Sequence, residues 1–111
     1  MTLKRDFGKR IKELRESLYM SQEMFAEQIG IHRNTLARIE SGENFVSLET
    51  LERIKAVLSV EYSELFTFNK PQKKDPLKAF ILKFRELNEE DAKFFLTTIK
   101  AYLQAKQGNS K

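Results

Sequence analysis

The chain has no cysteine, a single histidine and only two prolines among 111 residues. Without thiols it can form neither disulfides nor thiolate sites, which agrees with a reducing, cytoplasmic setting. His32 has no companion at metal-ligand spacing. There is also no glycine-rich phosphate loop, and no pair of carboxylates shares an apolar cleft. An enzyme, a metal centre and a cofactor are therefore not expected. No apolar run is long enough for a signal sequence or a membrane span, so a soluble intracellular protein is expected. No stretch alternates with period two, which removes the usual signature of a half-buried strand.

What is present points to a folded, helical chain. Hydrophobic residues make up 41% and charged residues 32%, a balance that supports a core rather than disorder. The formal net charge is +4, but it is unevenly spread. Residues 1–66 hold ten Lys/Arg against eleven Asp/Glu, whereas residues 67–111 hold ten against five. Bulk charge is thus a poor guide to nucleic-acid contact, and the argument must rest on particular positions.

Apolar residues recur at helical spacing. Phe7, Ile11, Leu14 and Leu18 share one face of a first helix. Ser21 can cap a second helix carrying Phe25, Ala26 and Ile29 and ended by Gly30. A third helix from Arg33 to about Ser41 presents Leu36 and Ile39 and stops at Gly42. Ser47 can cap a fourth with Leu48, Leu51, Ile54, Val57 and Leu58, and a short fifth carries Tyr62, Leu65 and Phe66. The two prolines, Pro71 and Pro76, bracket Gln72-Lys73-Lys74-Asp75. Proline lacks an amide donor and disfavours helix in the residue before it, so residues 69–76 read as a linker between a domain at 1–68 and a hairpin at 77–107.

The second and third helices are joined only by Gly30-Ile31-His32. So short a turn forces a steep crossing, as in a helix-turn-helix unit. Gly30 can adopt the left-handed conformation the reversal needs, and Ala26, four residues earlier, is small enough for close approach. An ordinary αα corner satisfies the same periodicity.

The stretch from Phe7 to Phe66 closely resembles the Xre/Cro/phage-repressor family of helix-turn-helix domains. The resemblance is carried by Gly8-Lys9-Arg10-Ile11-Lys12-Glu13-Leu14-Arg15, Ser21-Gln22-Glu23, Phe25-Ala26, Gly30-Ile31, Arg38-Ile39-Glu40-Ser41-Gly42 and Ser47-Leu48-Glu49-Thr50-Leu51. It implies an all-α fold: a five-helix, lambda-repressor-like DNA-binding domain followed here by a C-terminal two-helix hairpin. It also implies a third helix in the major groove and a pair of domains on a palindromic duplex. The resemblance puts Arg33, Asn34, Thr35, Ala37 and Arg38 at base edges and Gln22, Ser41 and Asn44 at phosphates. Arg suits guanine O6 and N7, Asn suits adenine N6 and N7, and a methyl suits thymine. It further implies that Arg15 and Glu40 tie the first helix to the end of the third; that pair either sets the recognition-helix angle or is simply a partly buried ion pair.

Some positions depart from the family pattern. His32 replaces the preferred Ser/Thr cap, and reads as a plain turn residue or as a phosphate contact. Glu43 stands in a loop position that is often basic, where a carboxylate repels phosphate. Val46 replaces a frequent proline, and Ser59 a glycine.

Beyond the linker, Leu77, Phe80, Ile81, Phe84 and Leu87 form one stripe. Asn88 can cap a last helix whose apolar face holds Ala92, Phe95, Leu96, Ile99, Tyr102 and Leu103. The tail Gly108-Asn109-Ser110-Lys111 is expected to fray. Two helices cannot bury both stripes against each other, so the hairpin needs a further surface. The expected one is a second copy, with dimerisation through Phe80, Phe84, Leu87, Phe95, Ile99 and Tyr102. Its own first domain, or a foreign protein such as a toxin or antirepressor, are the alternatives. Lys70, Lys73 and Lys74 belong to a solvated basic linker or reach phosphate. The functional expectation is a homodimeric transcription regulator, with an antitoxin-type autoregulator or a protein-interaction module as rivals.

Overall fold

The computed structural model describes residues 2–109. Seven helices follow one another: α1 (Leu3–Ser17), α2 (Gln22–Ile29), α3 (Arg33–Glu40), α4 (Leu48–Leu58), α5 (Tyr62–Leu65), α6 (Pro76–Phe84) and α7 (Glu89–Asn109). The described residues include no strand and no helix long and apolar enough to cross a membrane. The chain divides into two compact units, Met1–Pro76 and Leu77–Lys111.

Local chemistry sets the helix ends of the first unit. Thr2 Oγ1, Ser21 Oγ and Ser47 Oγ accept from the amides of Arg5, Met24 and Thr50, satisfying donors that the first turn leaves free. Gly30 ends α2 with φ 73°, and Gly42 follows α3 with φ 84°, both in the region glycine enters without a Cβ penalty. His32 precedes α3 without a side-chain cap hydrogen bond. Ser59 closes α4 at φ 52°; where the family prefers glycine, this serine carries the left-handed strain itself.

The core holds Phe7, Ile11, Leu14, Phe25, Ala26, Ile29, Leu36, Ile39, Ile54, Leu58 and Leu65, all buried. These come from the helical stripes read from periodicity, but Leu51 and Val57 are only half-buried, and Tyr62 and Phe66, expected on the fifth helix, are exposed. Leu48, the first residue of α4, is 72% exposed, because a residue immediately after the cap lies at the rim of the core. Phe45, in the loop before α4, supplies what Leu48 does not: its ring lies 5.0 Å from that of Phe7, which also meets Phe66 at 5.2 Å.

Two close packings position α3. Helix α2 contributes Phe25, Ala26 and Ile29 to the wedge, and the Ile31 amide donates back to the Ala26 carbonyl at 3.0 Å. Helix α1 crosses the end of α3 at Gly8, where a Cβ would stand 2.1 Å from the Ile39 carbonyl oxygen and 2.9 Å from that of Glu40. Glycine in mid-helix costs about 1 kcal/mol relative to alanine. Here that cost permits backbone-to-backbone contact between α1 and α3.

Residues 69–76, expected to be a solvated linker, are exposed apart from the half-buried Asp75, and two backbone groups among them bond to α1. The buried Arg10 guanidinium donates from Nε to the Glu64 carbonyl at 2.7 Å and from Nη1 to the Lys70 carbonyl at 3.3 Å. The Asp75 amide donates to the Ser17 carbonyl at 2.8 Å, and Lys74 Nζ lies 5.3 Å above the Tyr19 ring. Prolines leave this segment without a helix of its own, so its carbonyls are available to an arginine 60 residues earlier.

The second unit contains α6 and α7. Asn88 Oδ1 accepts from the Asp91 amide at 2.8 Å, and Glu89–Asp91 supply acidic side chains to the first turn of α7, where the helix dipole favours them. The helix is assigned through Gly108 to Asn109; Ser110 and Lys111, in the tail expected to fray, lie outside the described residues. Helices α6 and α7 barely pack on each other. They approach near their turn, where Phe80, Phe84, Leu87 and Phe95 with Lys83 line a cavity of about 180 Å³. No side chain from 77 to 108 is buried.

Candidate nucleic-acid interface

Helix α3 has two faces of different chemistry. Leu36 and Ile39 point into the core, whereas Arg33, Asn34, Thr35 and Arg38 are exposed and Ala37 is half-buried. The outer face thus offers two guanidinium groups, a carboxamide and a hydroxyl, and the helix itself carries no exposed acid. Arg33 and Asn34 open the helix directly after the Gly30 turn, and Arg38 stands on its last turn. Eight residues of helix are about 12 Å long, and a helix of this diameter fits the major groove.

The loop after α3 is folded tightly against it. The Arg38 carbonyl accepts from Ser41 Oγ at 3.1 Å, the Glu43 amide at 2.9 Å and the Asn44 amide at 3.2 Å. Ser41 and Asn44 are exposed beside Arg38, although the Ser41 hydroxyl proton is already engaged. Arg5 also comes to this loop: its Cα and Cγ would stand 2.8 and 2.7 Å from a Cβ placed on Gly42. Nothing in the sequence between residues 5 and 42 signals that approach except the glycine itself.

A buried polar network braces the helix from behind. Arg15 Nε and Nη2 donate to Glu40 Oε2 and Oε1 at 2.7 and 3.0 Å, and Arg15 Nη1 donates to the Met20 carbonyl at 2.7 Å. Fork-to-fork geometry of this kind is stronger and more directional than a point-charge pair. Gln22 Nε2 donates to Glu40 Oε1 at 2.9 Å, so the glutamine is held at the start of α2 with one amide proton committed. The network joins the end of α1, the start of α2 and the end of α3 through one carboxylate. It leaves no buried side-chain polar atom unsatisfied among the described residues.

An exposed, donor-rich face on the second helix of a tight helix-turn-helix defines a protein of the DNA-binding helix-turn-helix class. Comparisons with known proteins agree. The Helix-turn-helix family model matches residues 11–65. The control protein C.MunI of a Mycoplasma species is 47% identical over 62 residues, which are 55% of this chain and 84% of that protein. The crystal structure of the restriction-modification controller protein C.AhdI from Aeromonas hydrophila superposes with a TM-score of 0.53 at 36% identity, covering 55% of this chain and 92% of that one. The cryptic phage CTXphi transcriptional repressor RstR of Vibrio cholerae is 28% identical over 97 residues, 87% of each chain; an alignment of that length reaches into the C-terminal helices. The chain belongs to the Xre/Cro-type helix-turn-helix family of transcription regulators, a class of DNA-binding proteins and not of enzymes.

Proposed function

We propose that this protein is a cytoplasmic, sequence-specific regulator that binds a palindromic double-stranded operator as a homodimer and reads the major groove with α3. The observation that carries the reading is the outer face of α3: Arg33, Asn34, Thr35 and Arg38 stand exposed on a helix whose other side is locked into the core. Arg33, Asn34 and Arg38 discriminate bases, Thr35 and Ala37 add shape, and Gln22, Ser41 and Asn44 hold backbone phosphates. Base-edge contacts of the bidentate kind contribute roughly 1–3 kcal/mol of discrimination each. Repression is the proposed direction, in keeping with the name of the RstR relative.

The homodimer is supported by the second unit. Helix α7 has 21 residues and α6 has nine, lengths of about 31 and 13 Å. Even a fully closed hairpin would leave the distal part of the α7 stripe uncovered. Ile99 is half-buried, and Tyr102 and Leu103 are 63% and 49% exposed. Phe80 and Phe95 are also exposed, and Phe84 and Leu87 only half-buried. A second copy presents the same stripe and can bury both. A two-fold pair places its recognition helices for half-sites about 34–36 Å apart.

Selection of bound duplexes from a random pool with the full chain tests the proposal. The expected product is an inverted repeat with half-sites one helical turn apart. Recovery of duplexes with no common sequence would remove the DNA-reading role. An enriched single half-site, with a monomer in sedimentation, would remove the dimer alone. Co-purification of a partner protein on the hairpin, with no self-association, would favour the antitoxin-type or interaction-module reading.

A further inference from the structure

Arg38 has a carboxylate neighbour in this fold. Its Nε lies 4.0 Å from Glu43 Oε2, and the two side chains are 63% and 67% exposed. The backbone sets the two residues side by side. Gly42 at φ 84° turns the chain back, and the Arg38 carbonyl then captures the Glu43 and Asn44 amides and the Ser41 hydroxyl. The loop thereby keeps residue 43 next to residue 38, with the carboxylate nearest the Nε edge of the guanidinium.

We propose that Glu43 is a positioning residue that raises base discrimination by Arg38 at the expense of overall affinity. The inference rests on the base-reading role given to Arg38 above. A guanidinium presents two useful edges. The edge bearing both terminal nitrogens offers the parallel donors that match guanine O6 and N7. A carboxylate at the Nε edge leaves that pair outward and narrows the swing of the side chain. Unrestrained, the same guanidinium also folds onto backbone phosphate, which carries no sequence information. A fixed negative charge in the loop penalises that second mode, because binding to any duplex is dominated by phosphate contact. Glu43 thus suppresses the sequence-blind use of Arg38 more than the sequence-reading use.

The test compares wild type, Glu43→Gln and Arg38→Ala as full chains. Each is titrated with the selected duplex, its single-base-pair variants and an unrelated duplex at fixed salt. Glu43→Gln is expected to bind the unrelated duplex about threefold more tightly, the scale of an exposed ion pair. It is also expected to lose about threefold of the preference at the base pair that Arg38→Ala relaxes, and at no other. Tighter binding to every duplex with that preference intact would reduce Glu43 to a source of phosphate repulsion and overturn the positioning role. Unchanged binding throughout would overturn it as well. If wild type itself selects no sequence, the failure belongs to the DNA-reading proposal and is visible before any variant is made.

Discussion

Replacing Gly8 by alanine tests how α1 sets the position of α3. The added Cβ would meet the Ile39 carbonyl oxygen at 2.1 Å, the Glu40 carbonyl oxygen at 2.9 Å and the Glu40 carbonyl carbon at 3.0 Å. All three are backbone atoms, so no side chain can rotate away and the helices themselves must separate until the 2.1 Å approach opens to at least 3.4 Å. Seven residues downstream of Gly8 the same interface carries the Arg15–Glu40 fork, with bonds of 2.7 and 3.0 Å that tolerate little displacement. Overpacking of a close-packed contact costs about 1–3 kcal/mol, occasionally more. Alanine returns about 1 kcal/mol in helix propensity. With rigid atoms on both sides the upper end of that range applies, for a net loss of about 2 kcal/mol. In a first unit of this size that lowers Tm by roughly 8–16 °C. The assay is thermal and urea unfolding followed by far-ultraviolet circular dichroism. Gly108→Ala serves as the control, since nothing lies within 4 Å of its Cβ position and its effect should be near zero or slightly stabilising. A Gly8→Ala protein melting within two or three degrees of wild type would refute the claim of a tight α1–α3 backbone contact.

Three further outcomes follow from the same structure. Arg15→Ala strands the nearly buried Glu40 carboxylate and should cost about 3–5 kcal/mol, read from urea titration; a loss below 1 kcal/mol would show that the network adds little. Ser59→Gly relieves a left-handed serine at φ 52°, a strain of about 1–2 kcal/mol partly offset by the greater unfolded-state freedom of glycine; a rise of several degrees in Tm is expected, and any fall would contradict it. Tyr102→Glu places a charge on the exposed stripe of α7 and, if the proposed homodimer forms there, should convert it to monomers in sedimentation while leaving the melting of the first unit unchanged; a dimer that persists would move the interface elsewhere.

The elements were legible in the sequence because their signals are local. Ser21, Ser47 and Asn88 cap their helices with bonds spanning three residues, and Gly30 marks the end of α2 by a property of its own backbone. The core stripes of α1 to α4 follow from a period of 3.6 residues, and an error such as Leu48 arises at a helix end, where periodicity no longer tells inside from outside. Phe45 was missed for a related reason: a loop residue has no period, and its ring contact with Phe7 depends on where two distant segments meet. The candidate site was legible as a set of positions through family resemblance. Whether those side chains stood open, were engaged by Glu40 or Glu43, or were half-buried like Ala37 depended on the packing around them.

The sequence alone thus determined the all-helical class, the helix order and the tight turn at Gly30, since each rests on interactions within a few residues. Tertiary structure decided the rest: the backbone contact of Gly8 with Ile39, the entry of Gln22 into the Arg15–Glu40 pair and the hold of Arg10 on Lys70. Those contacts join residues up to 60 positions apart. Their formation depends on how helices cross in space, which no local periodicity or cap encodes.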